Sequence, residues 1–559
     1  MRDLLFKKEN GQGYVEDKPV PPANLDVSEQ IVEDGLGSGN MYWMNNGYKN
    51  GEDDDHRYVL KSDTTIKVDL SNPKTLTYGG NQGANVANII WGDPDYTADG
   101  FIDMNGHKLT LVSEANHLRH YASGILSHGG DLEIKNAAGI DIDIHGDKNA
   151  KSGIYVWGQG RNGASLTISN DNQAEHAVKI RNTAAEKDAA ILVDGRSVKD
   201  GGSAKLVIKG LVDVENDDVS VIQANKGDVS IGGGKIIAKG DKASSLKINN
   251  DGKIQINGNL SDRNVLTAGA VKHDVQIEGN VLAQKGRLGL VLNTDGSYIK
   301  GLIGTDAGTA GQTYMMLSDG ASWYHEGKGA RTDGIKESKI KNLEADGGNI
   351  YQKNEKPITI ENYKGNMKLF YKHENAGTKA ADYKAGNTYI GSAAEGSHIT
   401  VVTDRSNINT DNEDQVYEVL NTLAGKLYYE GYIRDEENLK GEATIAEGLT
   451  ASSQTVKMKD MLFKKENGQG YVQGKPTPPP LVNPVRHQIV EANYFAEEAR
   501  DFWSKAGVYD GKGHYKFDHD LSLVTHAEDD PVTTVNDNKF GNIYWNGDVV
   551  GDIDMTGWN

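Results

Sequence analysis

The chain has 559 residues, 67 of them glycine, and no cysteine; 80 acidic against 60 basic residues leave a formal net charge of −20. Such a surface repels a nucleic-acid backbone, and no local basic patch offsets it, so nucleic acid is not an expected partner. Without cysteine there is neither a disulfide scaffold nor a thiol nucleophile, and no run approaches the roughly 18 apolar residues of a membrane helix. Only 37% of residues are hydrophobic, and mean hydropathy is −0.59. Val, Ile, Leu and Tyr nevertheless recur in alternation, which argues against disorder and for repeats with a thin, continuous core.

The chain opens on Met1-Arg2-Asp3 without the charged and apolar regions of a signal peptide, so any export signal is expected outside it. Residues 3–15, DLLFKKENGQGYV, recur at 460–472 as DMLFKKENGQGYV, with only Leu4 and Met461 differing. The match resumes at Gln30-Ile31-Val32-Glu33 and Gln488-Ile489-Val490-Glu491, then at NIIW (88–91) and NIYW (542–545), and at GFIDMNG (100–106) and GDIDMTG (551–557). A unit of about 457 residues is therefore followed by the start of a second one, and the chain reads as an excised piece of a longer tandem array.

The expected organisation is a junction strand and proline-rich linker at 1–24, a strand-built body at 25–410, and a helix with a terminal segment at 411–457. The repeated junction at 458–484 and a truncated second unit at 485–559 follow. Pro21-Pro22 and Pro478-Pro479-Pro480 read as stiff connectors that join neither a ladder nor a helix.

From about 60 to 410 short alternating runs are separated by Gly, Asn and Asp turns. Leu166 and Ile168 share one face, as do Leu206 and Ile208, Ile254 and Ile256, and Val275 and Ile277; period two turns these pairs inward. A spacing of roughly 20–25 residues per coil predicts an all-β solenoid, a β-helix, with an all-β sandwich as the alternative. The turns show no consistent two-residue Asn-Gly or Asp-Gly hairpin spacing, which disfavours the sandwich. One helix is expected at 411–430, where Val416, Val419, Leu420, Leu423 and Leu427 form a single stripe, with Asp411 and Asp414 at its start and Gly431 at its stop.

Candidate chemistry is sparse. Gly158-Gln159-Gly160-Arg161-Asn162-Gly163 fits GxGxxG, but the strand-like SLTIS follows where a dinucleotide site needs a helix. His117, His120, His128 and His145 lie near one another without a rigid zinc spacing, and His325-Glu326 and His373-Glu374 lack the second histidine of HExxH. Asp93, Asp95 and Asp99 are weak calcium candidates; Asp141-x-Asp143-x-His145 and Asp53-Asp54-Asp55 also fall short of an EF-hand. No cofactor is expected. Tyr155 and Trp157 alternate with Ile154 and Val156 and are expected on the outer face, as a weak binding pair for a sugar or protein unless a neighbouring loop shields them.

Residues 322–472 carry an ordered set of motifs: Ser322-Trp323, SKIKNLEADGGNI (338–350), ITIENYKGNMKLFYKH (358–373) and GNTYIGSAAEGSHITVV (386–402). With Asn342-Leu343, Gly347-Gly348, Asn362-Tyr363, Gly365 and Gly396 in place, this stretch resembles the late passenger region of pertactin-like autotransporters. GEATIAEGLTASS (441–453), followed by LFKKENGQGY, looks like surface passengers of Gram-negative Firmicutes. The resemblance covers about a quarter of the chain. It implies a right-handed parallel β-helix exported by the type V route to the outer-membrane surface. There it would bind host or neighbouring-cell glycans or proteins, or associate with itself. A translocator barrel should follow such a region, but a second unit follows here, so the barrel or other anchor is expected beyond Asn559. The expected role is a non-enzymatic adhesin; a polysaccharide-degrading β-helix enzyme and a surface-array component are the alternatives.

Overall fold

The computed structural model describes residues 56–60, 62–69, 85–91, 100–115, 121–148, 150–160, 163–170, 176–199, 202–304, 311–371 and 385–404. It also describes short segments at 6–9, 12–15, 419, 423, 426–429, 439–446, 455–462, 489–491, 514–516, 522–524 and 552–554. The described elements are all strands, and pairing between them is almost entirely parallel.

Alternation makes the strands. In Lys108–Glu114 every second residue is buried, and the same holds for Val178–Asn182 and Gly252–Ile256. All four residue pairs expected to face inward do so.

Three rows of strands result, and the chain visits them in a fixed order. Gly100–Asp103 lies in the first row, Lys108–Glu114 in the second and Tyr121–Ser127 in the third; Gly130–Ala137 then returns to the first. The order repeats through Ser322–His325. The third row is an eight-stranded sheet. The first and second are joined because long strands such as Ala204–Asn216 and Asp228–Ala238 run from one into the other.

Register is set by inward aliphatic ladders. In the first row Ile102, Ile134, Ile168, Ile208, Ile231 and Ile256 stand in line. In the second, Ile66, Leu111, Ile142, Ile180, Val214 and Ile236 do so, and the line continues to Trp323, Ile350, Leu369 and Val401. The third holds Ile89, Ile125, Ile154, Ile191, Ile222 and Leu246. All belong to one buried cluster. Burying each such side chain stabilises the fold by about 1.5–3 kcal/mol, and a slip of one residue would turn a whole strand's set outward.

The spacing along the chain is broader than expected. It runs from 19 residues between Ile350 and Leu369 to 45 between Ile66 and Leu111, because connections of different length leave the strands without disturbing their register.

Three antiparallel pairs depart from the pattern. Phe6–Glu9 pairs with Gln12–Val15, so part of the repeated segment expected as one strand is an antiparallel pair, with Asn10-Gly11 between the two strands in the sequence. Gly258–Leu260 pairs with Leu266–Ala268 in an excursion between the first and second rows. Leu439–Ala446 continues the parallel stack on one side and pairs antiparallel with Thr455–Leu462 on the other. The stack thus runs past the expected boundary at 410.

The expected helix at 411–430 is not among the described elements. Val419 and Leu423 have helical backbone and are fully buried, but Leu427–Tyr429 is a strand paired with Thr388–Ala393. Leu427 therefore serves the core as a strand residue, and a helix to 430 would forfeit that ladder. Val416 and Leu420 lie outside the described residues.

The second unit repeats the first in backbone pairing. Tyr58 pairs with Ile102, and Tyr515, 457 residues on, pairs with Ile553. Ile489–Glu491 pairs in parallel with Ser522–Val524. No described helix is long and apolar enough to cross a membrane, which leaves strand-built membrane structures unaddressed.

Candidate functional site

Strand Ile154–Gly160 in the third row sends Ile154 and Val156 into the main core and Tyr155 to the opposite face. There Tyr155 stands in register between Leu126 and Leu192, and these three with Ala87 and Ala189 form a separate apolar cluster. Tyr155 is only 5% exposed: alternation turns it away from the main core, and neighbouring residues pack around it, as in the shielded alternative. Burial, then the nearby Asp194 and Asp188, push its phenol well above the usual range.

Trp157 is the more open member. It is partly buried against that cluster, lies parallel to Tyr155 with ring centres 5.9 Å apart, and stacks on His128 at 4.2 Å. His128 Nε2 lies 2.9 Å from Gln159 Oε1, a hydrogen bond that holds the ring plane. Trp157 is in register with Asp194, whose buried carboxylate takes two hydrogen bonds from Arg196 Nε at 2.9 and 3.0 Å. The Arg196 side chain is 60% exposed, and the Asp194 hydrogen bonds raise its already high pKa. Lys151 pairs with Asp188 at 2.5 Å beside the Tyr155 ring. A partly exposed indole in register with the carboxylate that holds Arg196 suits an aromatic contact with a ligand, with charge to one side.

The other sequence candidates form no group among the described residues. Asp93, Asp95 and Asp99 lie outside the described residues, as do His117, His120, His373 and Asp53 to Asp55. His145 faces Glu114 and Asp143 at 3.9 Å, and no metal-holding group occurs among the described residues. Asp141 takes hydrogen bonds from His176 at 2.7 Å and Lys108 at 2.5 Å. Burial alone would raise its pKa, but those partners hold it at about 2. Gly158 and Gly160 belong to a strand and Gly163 leads into another, Ala164–Asn170, so no helix follows the glycines.

Two constellations had no counterpart in the sequence reading. Tyr324, Tyr351 and Phe370 stack on the outside of the second row at 4.8 and 4.5 Å, with Val402 beside them. Their signal was available: each directly follows an inward ladder residue, Trp323, Ile350, Leu369 or Val401.

The second constellation is internal. His325 Nε2 is 2.9 Å from Ser338 Oγ, and its Nδ1 bonds Gln352 Oε1, an order resembling a hydrolase triad. All three side chains are fully buried, and Ser338 Oγ also accepts from the Ile303 amide at 3.0 Å. The serine is thus engaged in joining the third row to the next strand and is closed to substrate. Burial presses the His325 pKa down to about 3.

The carboxylates with a resolved shift, Asp141, Glu278 and Glu361, are all lowered by basic neighbours despite their partial burial. A glycosidase acid needs the opposite shift.

No family model matches this chain, and neither a curated protein nor a solved structure does.

Proposed function

We propose that this chain is a right-handed parallel β-helix acting as an adhesive passenger on a bacterial cell surface, with Trp157 at its most accessible ligand-binding face. The observation that carries this reading is the fixed visiting order of three parallel rows, each with its own inward ladder. Parallel crossovers of this kind are right-handed in about 98% of cases. The outer surface is laced with pairs such as Glu344–Lys364 at 2.8 Å and Arg181–Asp213 at 2.9 Å, which suits a rod displayed in water.

The autotransporter resemblance gains support at its motif positions. Trp323 is fully buried and its Nε1 donates to the Gly301 carbonyl at 2.9 Å; Tyr363 OH donates to the His398 carbonyl at 2.8 Å. Type V export and attachment through a barrel or anchor outside this chain belong to the same proposal. The lowered carboxylates and the sealed Ser338 favour binding without turnover.

The test is binding of the purified chain to glycan and matrix-protein arrays, with turnover followed on the same glycans. The expected result is saturable binding without product, weakened at least about tenfold by Trp157→Ala. Product release, or binding indifferent to Trp157, would overturn the reading.

A further inference from the structure

Among the described residues the parallel stack ends on Leu439–Ala446, and the strand laid against its far edge is Thr455–Leu462. The register pairs Lys440 with Leu462, Gly441 with Met461, Glu442 with Asp460 and Ala443 with Lys459. Met458 to Leu462 reads MKDML, and Met1 to Leu5 reads MRDLL. Three of the five residues are identical, and the other two exchange Lys for Arg and Met for Leu. The strand that closes the first unit is therefore written in the opening letters of the second, and the same letters open the first.

A sheet edge is a row of unpaired backbone donors and acceptors that accepts any strand of suitable register. Recognition by strand addition draws its affinity from main-chain hydrogen bonds, so two segments this alike are near-equivalent occupants. We propose that residues 1–5 of a second copy of this chain can take the place of residues 458–462 on the Leu439–Ala446 edge, joining copies end to end. The inference stands on strand pairing and repeat identity and is independent of the ligand reading. In the intact chain the tethered strand wins, because a short linker gives it an effective concentration near the millimolar range. The edge becomes available to another copy when the tethered strand is displaced.

The absence of cysteine makes cross-linking a clean test in the full chain. Gly441→Cys with Met461→Cys, and separately Glu442→Cys with Asp460→Cys, should each be tried under mild oxidation. Adjacent antiparallel pairs alternate between closer and wider spacing, so at least one of the two should close within the monomer. Failure of both would overturn the closing strand itself. The second step breaks that strand with Val456→Pro and Lys459→Pro in a chain carrying Leu4→Cys and Gly441→Cys. The expected outcome is end-to-end multimers linked between positions 4 and 441, dispersed by excess peptide of residues 455–472. A monomeric product with an unchanged circular-dichroism spectrum would overturn the proposal. So would multimers that persist when Arg2→Pro and Leu5→Pro are added, since those would be non-specific aggregates.

Discussion

The late part of the stack and the early part solve one packing problem in different ways. Ser338–Gln352 and Ile358–Tyr371 each run through the first and second rows as a single strand of 15 and 14 residues, in register from Ser338↔Ile358 to Gln352↔Tyr371. Early in the chain the same circuit is split into separate strands, and 45 residues separate Ile66 from its partner Leu111. The late region therefore spends its residues on ladder and core. The early region spends them on excursions, while its outer cluster around Tyr155 and Trp157 is carried by a third-row strand. Long connections add little closure cost, since each doubling costs only about 0.6 kcal/mol, so one inward ladder tolerates both designs.

The largest break in this contrast should come from Trp323→Ala. The indole is fully buried between Ile299 and Ile350, and its loss should cost about 3–5 kcal/mol in urea unfolding. Trp157→Ala, on the outer face, should leave the same transition within about 1 kcal/mol. Equal effects would mean that the two tryptophans do not divide core from surface as described.

A second contrast lies in acid. His325 is held neutral in the fold, with its pKa at about 3 against about 6.5 in the unfolded chain, so the unfolded state binds the extra proton. Its contribution is whole above about pH 6.5 and is lost as pH falls toward 3, with a slope approaching 1.4 kcal/mol per pH unit as an order of magnitude. Asp141, lowered to about 2, loses its contribution only between about pH 3.8 and 2. In stability curves, His325→Gln should lose slope from about pH 6.5 downward, where Asp141→Asn is unchanged, and Asp141→Asn should lose slope only below about pH 3.8; slope lost by Asp141→Asn above that pH would sink the assignment.

The smallest effects compare two glycines of the late region. Gly365 has φ 103°, and a Cβ there would collide with the Ala345 carbonyl oxygen, whereas Gly347 has φ 76° and open space around it. Gly365→Ala should cost about 1–3 kcal/mol and Gly347→Ala about 1 kcal/mol, read as a difference in melting temperature.

Much of the core was legible because its code is local. Leu166, Ile168, Ile254 and Ile256 announce their face through their immediate neighbours, and all are buried. The pairing of Phe6–Glu9 with Gln12–Val15 is equally local, its two strands being separated only by Asn10-Gly11 in the sequence. The Tyr155–Trp157 site was half legible. Alternation placed Tyr155 opposite Ile154, while its cover comes from Leu126, Leu192, Ala87 and Ala189, between 29 and 68 positions away. The buried His325–Ser338–Gln352 arrangement was not legible, since its members come from the strand Ser322–His325 and from the two ends of Ser338–Gln352.

By itself the sequence determined an all-β chain of short alternating strands, a repeat of about 457 residues, and which side chains of each strand share a face. Period two carries that information within a few residues. The tertiary structure decided which strands pair, that they pair in parallel, where the stack ends, and which outward residues are covered. Those outcomes depend on matching inward aliphatics 19 to 45 positions apart, a sum over distant ladders that no local stretch contains.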